Sequence, residues 1–238
     1  MSEILVPGDP LLPALHVERG GAALHVDLGP ALLSKASVSE QDNCAYVLTC
    51  ATTGAQLLVD AADDAPAVLA LLAEAARTAG RSTSDLVGVL TTHGHWDHHR
   101  ALPEVLAATG APSLVGRADA ADLPVTADRL LDHGDVVAVG EVVVRVVHLR
   151  GHTPGSVALV VPGAAPGPSL ALTGDSLFPG GVGNTRQDPQ RFASLLADVS
   201  ERLLDALPGD TLVQPGHGDG TTVGAERGSV ALWRERGW

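Results

Sequence analysis

Four histidines and one aspartate fall within seven residues in the stretch His93-Gly94-His95-Trp96-Asp97-His98-His99. His93 and His95 are two apart, so on an extended segment their side chains project to the same side. Asp97 and His98 follow where the chain is expected to turn into a helix. Imidazole and carboxylate are ligands for zinc, and also for iron, nickel or manganese. Packing gives no reason to gather such groups, so the stretch reads as a ligand cluster able to serve two adjacent metal ions. Three further candidates stand alone beside glycine at the ends of apolar runs. They are His152 in Gly151-His152-Thr153-Pro154-Gly155, Asp175 in Thr173-Gly174-Asp175, and His217 in Pro215-Gly216-His217-Gly218. Glycine turns the backbone sharply and leaves the neighbouring side chain unobstructed, and strand-end loops are where α/β proteins build sites. Taken singly, His152 or His217 reads as a surface or hydrogen-bonded histidine. His16, His25, His133 and His148 read as structural, and His99 as a water-facing residue on a first helical turn.

The elements that must position these groups are visible as apolar runs. Cys44–Cys50 and Gln56–Asp60, joined through Thr53 and Gly54, read as a β-hairpin. Asp64 to Arg77 shows a helical apolar face, with Gly80 as its stop. Leu86–Leu90 is a buried strand running into the ligand cluster, and a helix starting near His98 or His99 should end around Gly110. Ser113–Val115, Val142–Leu149, Ser156–Val161 and Ser169–Thr173 read as strands, with a loop from Pro162 to Pro168. The clearest helix follows, capped by Asp188 with Pro189 in its first turn, and with Phe192, Leu195, Leu196, Val199, Leu203, Leu204 and Leu207 on one face. A strand at Thr211–Val213 and a helix near Ala225–Glu235 close the chain. Loops at Gly180–Gln187 and Ser34–Asp42 are expected to line the pocket. Interleaved strands and helices indicate layered α/β, with residues 1–238 as one domain.

The composition fits this reading. Of 238 residues, 45% are apolar and 18% charged, enough for a sizeable core. The net charge of −13 comes without a Lys/Arg cluster, which argues against nucleic acid as a partner. No signal peptide and no membrane-spanning run is read. The two cysteines, Cys44 and Cys50, share one strand and lie too far apart to bridge. A reducing cytoplasm is the natural inference. A small-molecule substrate is expected, and nothing in the sequence sets an oligomeric state.

Taken in order, these residues resemble the metallo-β-lactamase superfamily and, within it, the glyoxalase II-like hydrolases. The H-x-H-x-D-H signature is complete at His93, His95, Asp97 and His98. The histidine of GHTPGS, the aspartate of TGDSLF and the histidine of PGHG follow in order, so the likeness spans about Asn43 to His217. It implies an αββα sandwich, two mixed sheets packed together with helices on the outer faces. It implies one metal on His93, His95 and His152, a second on Asp97, His98 and His217, and Asp175 bridging them. Asp97 is also the expected catalytic residue, orienting the nucleophile, and Asp60 resembles a buried aspartate that orients a ligand loop. Two divalent ions are implied, zinc first, with iron or manganese compatible. The chemistry that follows is cleavage of an ester or thioester by a metal-bridging hydroxide.

The sequence departs from this pattern in places. Only 21 residues follow His217, too few for a glutathione-binding helical region, and Gly181-Val182-Gly183-Asn184 lacks the basic residue of G-C-G-[RK]. Arg186 stands two residues on and reads as a solvated surface arginine. The persulfide dioxygenases share the motif order and imply instead one iron on His93, His152 and Asp175. Lactonases of the superfamily use a tyrosine near the metals, and Tyr46 lies far upstream. Gly174-Asp175-Ser176-Leu177 spells the GDSL esterase motif, but it falls late in the chain and no Asp-x-x-His accompanies it. A metal-binding protein without catalysis is the remaining class, and the presence of all seven ligands argues against it.

Overall fold

Strands that are apolar along their whole length need cover on both faces. Cys44–Cys50, Ala55–Val59 and Val157–Val161 are buried at every residue. The computed structural model, which describes residues 4–164 and 167–237, shows how that cover is supplied. The first half of the chain forms an eight-stranded sheet in sequence order. Its strands are β1 (Ile4–Leu5), β2 (Leu24–Asp27), β3 (Ala31–Ser37), β4 (Cys44–Cys50), β5 (Ala55–Val59), β6 (Asp85–Thr91), β7 (Ser113–Gly116) and β8 (Arg129–Leu131). Pairing is antiparallel from β2 to β5 and parallel from β5 to β8. The second half contributes β9 (Val136–Val139), β10 (Val142–His148), β11 (Val157–Val161), β12 (Leu170–Gly174), a small hairpin of β13 (Leu177–Phe178) and β14 (Gly181–Val182), β15 (Leu212–Pro215) and β16 (Thr221–Thr222). Its six-stranded sheet runs β16-β15-β12-β11-β10-β9, with β12 and β15 parallel.

The two sheets pack face to face. Leu33, Leu48, Leu57 and Leu90 from the first meet Val144, Val146, Leu159 and Leu172 from the second in one core. Alternation sends the neighbouring residues outward. Val47, Leu58 and Val89 pack under α1 (Ala65–Thr78) and α2 (Leu102–Thr109). Ala158, Val160 and Val213 pack under α3 (Pro189–Val199) and Trp233. The architecture is thus α/β/β/α, the sandwich expected. Trp233 belongs to the chain's own core, whereas Trp238 lies outside the described residues.

The helix signals acted as read at two places. Asp64 accepts from Ala67 N at 3.1 Å, and Asp188 accepts from Gln190 N and Arg191 N at 2.8 and 3.1 Å. Beyond α3 the turn widens over Ser200–Leu204, where Asp205 N reaches Ser200 O at 2.8 Å. The C-terminal helix is two pieces, α4 (Val223–Arg227) and α5 (Val230–Arg236), separated at Gly228 and Ser229. The helix after the ligand cluster starts later than expected. Trp96–His98 is a short 3₁₀ turn and α2 begins at Leu102, because Arg100 N and Ala101 N are taken by Ala62 O and Ala61 O and Pro103 fits a first turn. Ser34–Ser37 belong to β3 and are not loop. Among the described residues, no helix is long and apolar enough to cross a membrane.

Candidate metal centre

The site lies where strand ends of both sheets meet. β6 delivers His93 to His98 from the first sheet. From the second, the β10–β11 turn delivers His152, the end of β12 Asp175, and the end of β15 His217. The sheets are stitched together here, since Cys44 N donates to Gly216 O at 2.8 Å and Asn43 pairs with His217.

All seven ligand candidates converge. Three sets each keep one ligand atom per residue within 4.8 Å of the others: His93, His95 and His152; Asp97, His98 and His217; and His93, His98 and Asp175. His95 Nδ1 stands 3.2 Å from His93 Nε2 and 2.9 Å from His152 Nε2, and His98 Nε2 stands 3.2 Å from His217 Nε2. Two nitrogens on one tetrahedral zinc, at bond lengths of about 2.0–2.1 Å, lie ~3.3 Å apart. Asp175 reaches both groups, its Oδ2 at 3.6 Å from His152 Nε2 and 3.5 Å from His217 Nε2. Its Oδ1 is buried with no hydrogen-bond partner, an orphaned anionic acceptor facing a ring of imidazoles. The donor set therefore fits two small divalent cations sharing a carboxylate.

The outer ring nitrogens are fixed by the protein. His98 Nδ1 donates to Asp60 Oδ2 at 2.9 Å, His152 Nδ1 to Asn184 O at 2.8 Å, and His217 Nδ1 to Gln41 O at 2.8 Å. Asp60 is buried and holds more than one of the ligand candidates. Its Oδ1 accepts from Thr92 N at 2.7 Å and its Oδ2 from Thr92 Oγ1 at 2.8 Å, and Thr92 Oγ1 lies 3.1 Å from His93 Nδ1. Asp60 adopts a left-handed φ of 59°, which strains a residue with a side chain, and its three hydrogen bonds offset that strain.

Charge in the cluster is divided. Burial by itself would lower His98 and His217, but the charge of Asp60 on one and the hydrogen bonds of Asp175 and Asp97 on the other raise them to about 10 and about 11. Burial lowers His152 to about 4 and also lowers His93 and His95. Against the effect of burial, contacts with His217 and His98 hold the carboxyls of Asp97 and Asp175 below the usual range.

Several residues that serve the site carry no sequence signal strong enough to mark them. Asn43 Nδ2 donates to Asp97 O and Asp97 Oδ2 at 3.0 and 3.1 Å. Lys35, fully buried, donates to Gly218 O at 2.7 Å and to Gln214 Oε1 at 3.1 Å. Tyr46, distant in sequence, comes beside the site with its hydroxyl donating to Pro215 O at 2.6 Å. His99 is corrected: it is buried, with Nε2 turned back to 3.3 Å from Gly94 O, because the chain after His98 docks on Ala61 and Ala62 before α2 begins. His25 is structural as read, buried with Nδ1 2.8 Å from Ser34 Oγ. Ser176 of the GDSL tetrapeptide is buried.

A cavity of about 330 Å³ opens onto the ligands, lined by His95, Trp96, Asp97, His152, Asn184 and Arg186. Trp96 is 58% exposed at its rim, with the Arg100 guanidinium 4.2 Å from its ring centroid.

The sequence profile of the Metallo-beta-lactamase superfamily matches residues 41–217, a span that holds all seven candidates. A hydroxyacylglutathione hydrolase from Fuscovulum blasticum is 39% identical over 202 residues, which cover 83% of this chain and 72% of that protein. The chain spans 62% of the length of other relatives of that name. Among solved structures, ETHE1 from Myxococcus xanthus superimposes with a TM-score of 0.67 at 25% identity over 84% of each chain. TTHA1623 in a di-iron-bound form superimposes with a TM-score of 0.62 at 29% identity, over 81% of this chain and 96% of that one.

Proposed function

The chain belongs to the metallo-β-lactamase superfamily, and from that premise we propose that it is a glyoxalase II-like hydrolase that cleaves an ester or thioester of a small molecule at a dinuclear metal centre. One observation carries the reading. Asp175 Oδ2 stands at nearly equal distance from His152 Nε2 and His217 Nε2, 3.6 and 3.5 Å, so a single carboxylate serves two ligand groups. In this reading His93, His95 and His152 would hold one cation and Asp97, His98 and His217 the other, with Asp175 available to both. When bound, two such cations bring the pKa of a coordinated water to about neutrality and polarise a carbonyl oxygen.

The protein's own groups prepare the site. Asp60, Asn184 O and Gln41 O accept the outer protons of three imidazoles, which turns each Nε2 toward the centre. Asn43 Nδ2 holds the Asp97 carboxylate, the catalytic residue of this proposal, in the cavity lining, where it would orient a water. Trp96 and Arg186 border the space into which the rest of a substrate extends. The name of the Fuscovulum blasticum relative, a thioester hydrolase, supports a thioester as the bond cleaved. Zinc is the proposed metal on the strength of the imidazole-rich donor set.

The test is metal analysis of protein purified without added metal, paired with hydrolysis of a generic thioester. About two equivalents of zinc and chelator-sensitive hydrolysis are expected. A second reading, a mononuclear iron dioxygenase acting on a persulfide, has support of its own. The cluster contains two-histidine, one-carboxylate sets, and the likeness to ETHE1 counts on the same side. One equivalent of iron, with oxygen consumed on a persulfide and no hydrolysis, would replace the hydrolase reading with this one.

A further inference from the structure

A buried carboxylate outside the ligand set joins two of the ligand loops. Asp119 sits in the 3₁₀ segment Arg117–Asp122 that follows β7, and its side chain has no solvent exposure. Its Oδ2 accepts from Gly94 N at 2.9 Å and from Thr153 Oγ1 at 2.5 Å, and its Oδ1 accepts from Gly155 N at 2.6 Å. Gly94 lies between His93 and His95, and Thr153 follows His152. One carboxylate therefore ties the loop that presents two ligands of the first sheet to the loop that presents a ligand of the second.

All three partners are donors, so the site is built for a group with two acceptor oxygens and no proton to give. Charge-assisted bonds of this kind are the strong ones, and burial makes losing one costly. The surroundings fit closely as well. A methyl group on Gly155 would stand 2.5 Å from Asp119 N, and one on Gly94 would stand 3.2 Å from Asp119 Cβ. Ser156 Oγ lies 2.5 Å from Thr153 Oγ1 and fixes the hydroxyl from its other side.

We infer that Asp119 is a positioning residue for the cation site of His93, His95 and His152, setting the distance between the loops that supply them. The role is distinct from that of Asp60, which bonds His98 directly and His93 through Thr92. Asp119 touches no imidazole and acts through the backbone of Gly94 and Gly155 and the hydroxyl of Thr153. The inference rests on the proposed ligand sets.

Cobalt(II) titration of the metal-free protein tests it, with absorbance reporting each binding event and thermal unfolding of the metal-free protein run beside it. A His95→Ala control identifies the event that belongs to the first set. In Asp119→Asn, which keeps one acceptor oxygen and places an amide against a donor, that event should weaken by about 10- to 100-fold while the other holds. Thr153→Val should weaken the same event less and Thr153→Ser should restore it, a pair that keeps the test informative if Asp119→Asn fails to fold. Parallel weakening of both events, or no change at the event that His95→Ala removes, overturns the inference. A wild-type protein that takes up no cation instead sinks the functional reading before any variant is compared.

Discussion

The two sheets fix the imidazoles of their ligand candidates by different means. On the first, the ligand loop depends on side chains: Asp60 takes His98 and Thr92, and Asp119 takes Gly94. On the second, Asp119 also holds the loop at Thr153 and Gly155, but the imidazoles of His152 and His217 give their outer protons to main-chain carbonyls, Asn184 O and Gln41 O. A side-chain acceptor is deleted by one substitution, whereas a carbonyl stays whatever residue bears it. The second sheet should therefore be fragile at positions where the backbone comes close, and tolerant at the residues that lend the carbonyls.

The largest effect is expected at Asp60. Asp60→Ala leaves the imidazole of His98 and the Thr92 donors unpaired in the interior, and breaking a buried pair this way costs about 3–5 kcal/mol. Denaturant unfolding of the metal-free protein measures it, and a cost under about 1 kcal/mol would erase the contrast between the sheets. On the second sheet the matching weak point is Gly216, where a methyl group would sit 2.5 Å from His98 Cε1 and crowd Asp175 Oδ1. Gly216→Ala should lower kcat/KM by about 100-fold, as displacement of a reacting group by an ångström does, and lower stability by about 1–3 kcal/mol through overpacking.

A smaller effect attends Asp198. This α3 residue accepts from Arg150 N and Arg150 Nε at 2.9 and 2.8 Å and pairs with Arg202 at 3.1 Å, anchoring the chain just before Gly151 and His152. Burial pushes its carboxyl up, but Arg150 and Arg202 outweigh that and hold it below the ordinary range. A folded value below the unfolded one of about 3.9 stabilises above that pH and loses the contribution as pH falls through the folded value. Arg150 is half exposed, so screening keeps the contribution to about 1–2 kcal/mol. Tm curves of wild type and Asp198→Asn should therefore differ near neutrality and converge in acid. The smallest effect closes the series. Gln41→Ala and Asn184→Asp, the latter keeping the oxygen that accepts from Arg186 N, should each stay within about 0.5 kcal/mol of wild type and match the metal content of wild type by elemental analysis. Loss of a metal in either would show that the carbonyls depend on their side chains after all.

The same contrast governs what the sequence discloses. His93 to His98 announce themselves because four ligands crowd one short stretch, and the β4–β5 hairpin, α1 and α3 follow from period and capping. The lone ligands of the second sheet became legible only through the order of their glycine-flanked motifs. Asp119 and Asn43 left no trace, since a single aspartate or asparagine in a loop has many ordinary uses and only the fold brings it to the ligands. Short strands such as β8 and β9 were missed for a related reason. Arg129–Leu131 and Val136–Val139 are too brief to show a period and owe their shape to the neighbours they pair with. The burial of His99 has no local signal, because the amides of Arg100 and Ala101 that delay the helix bond to Ala62 O and Ala61 O, about forty residues away in the chain.

The meeting of His98 with His217 spans 119 residues of chain. The histidines of the first sheet leave the ribosome well before the strand that carries their distant partner, so the centre can close only after β15 has been made. On the functional reading, a cation held between these two residues ties off a loop of that size. On the chain-entropy account, a cross-link around about 100 residues withdraws ~4.7 kcal/mol of freedom from the unfolded chain. Such a cation would be a late knot in assembly, and the resistance of the folded protein to heat would rise with the concentration of free cation around it.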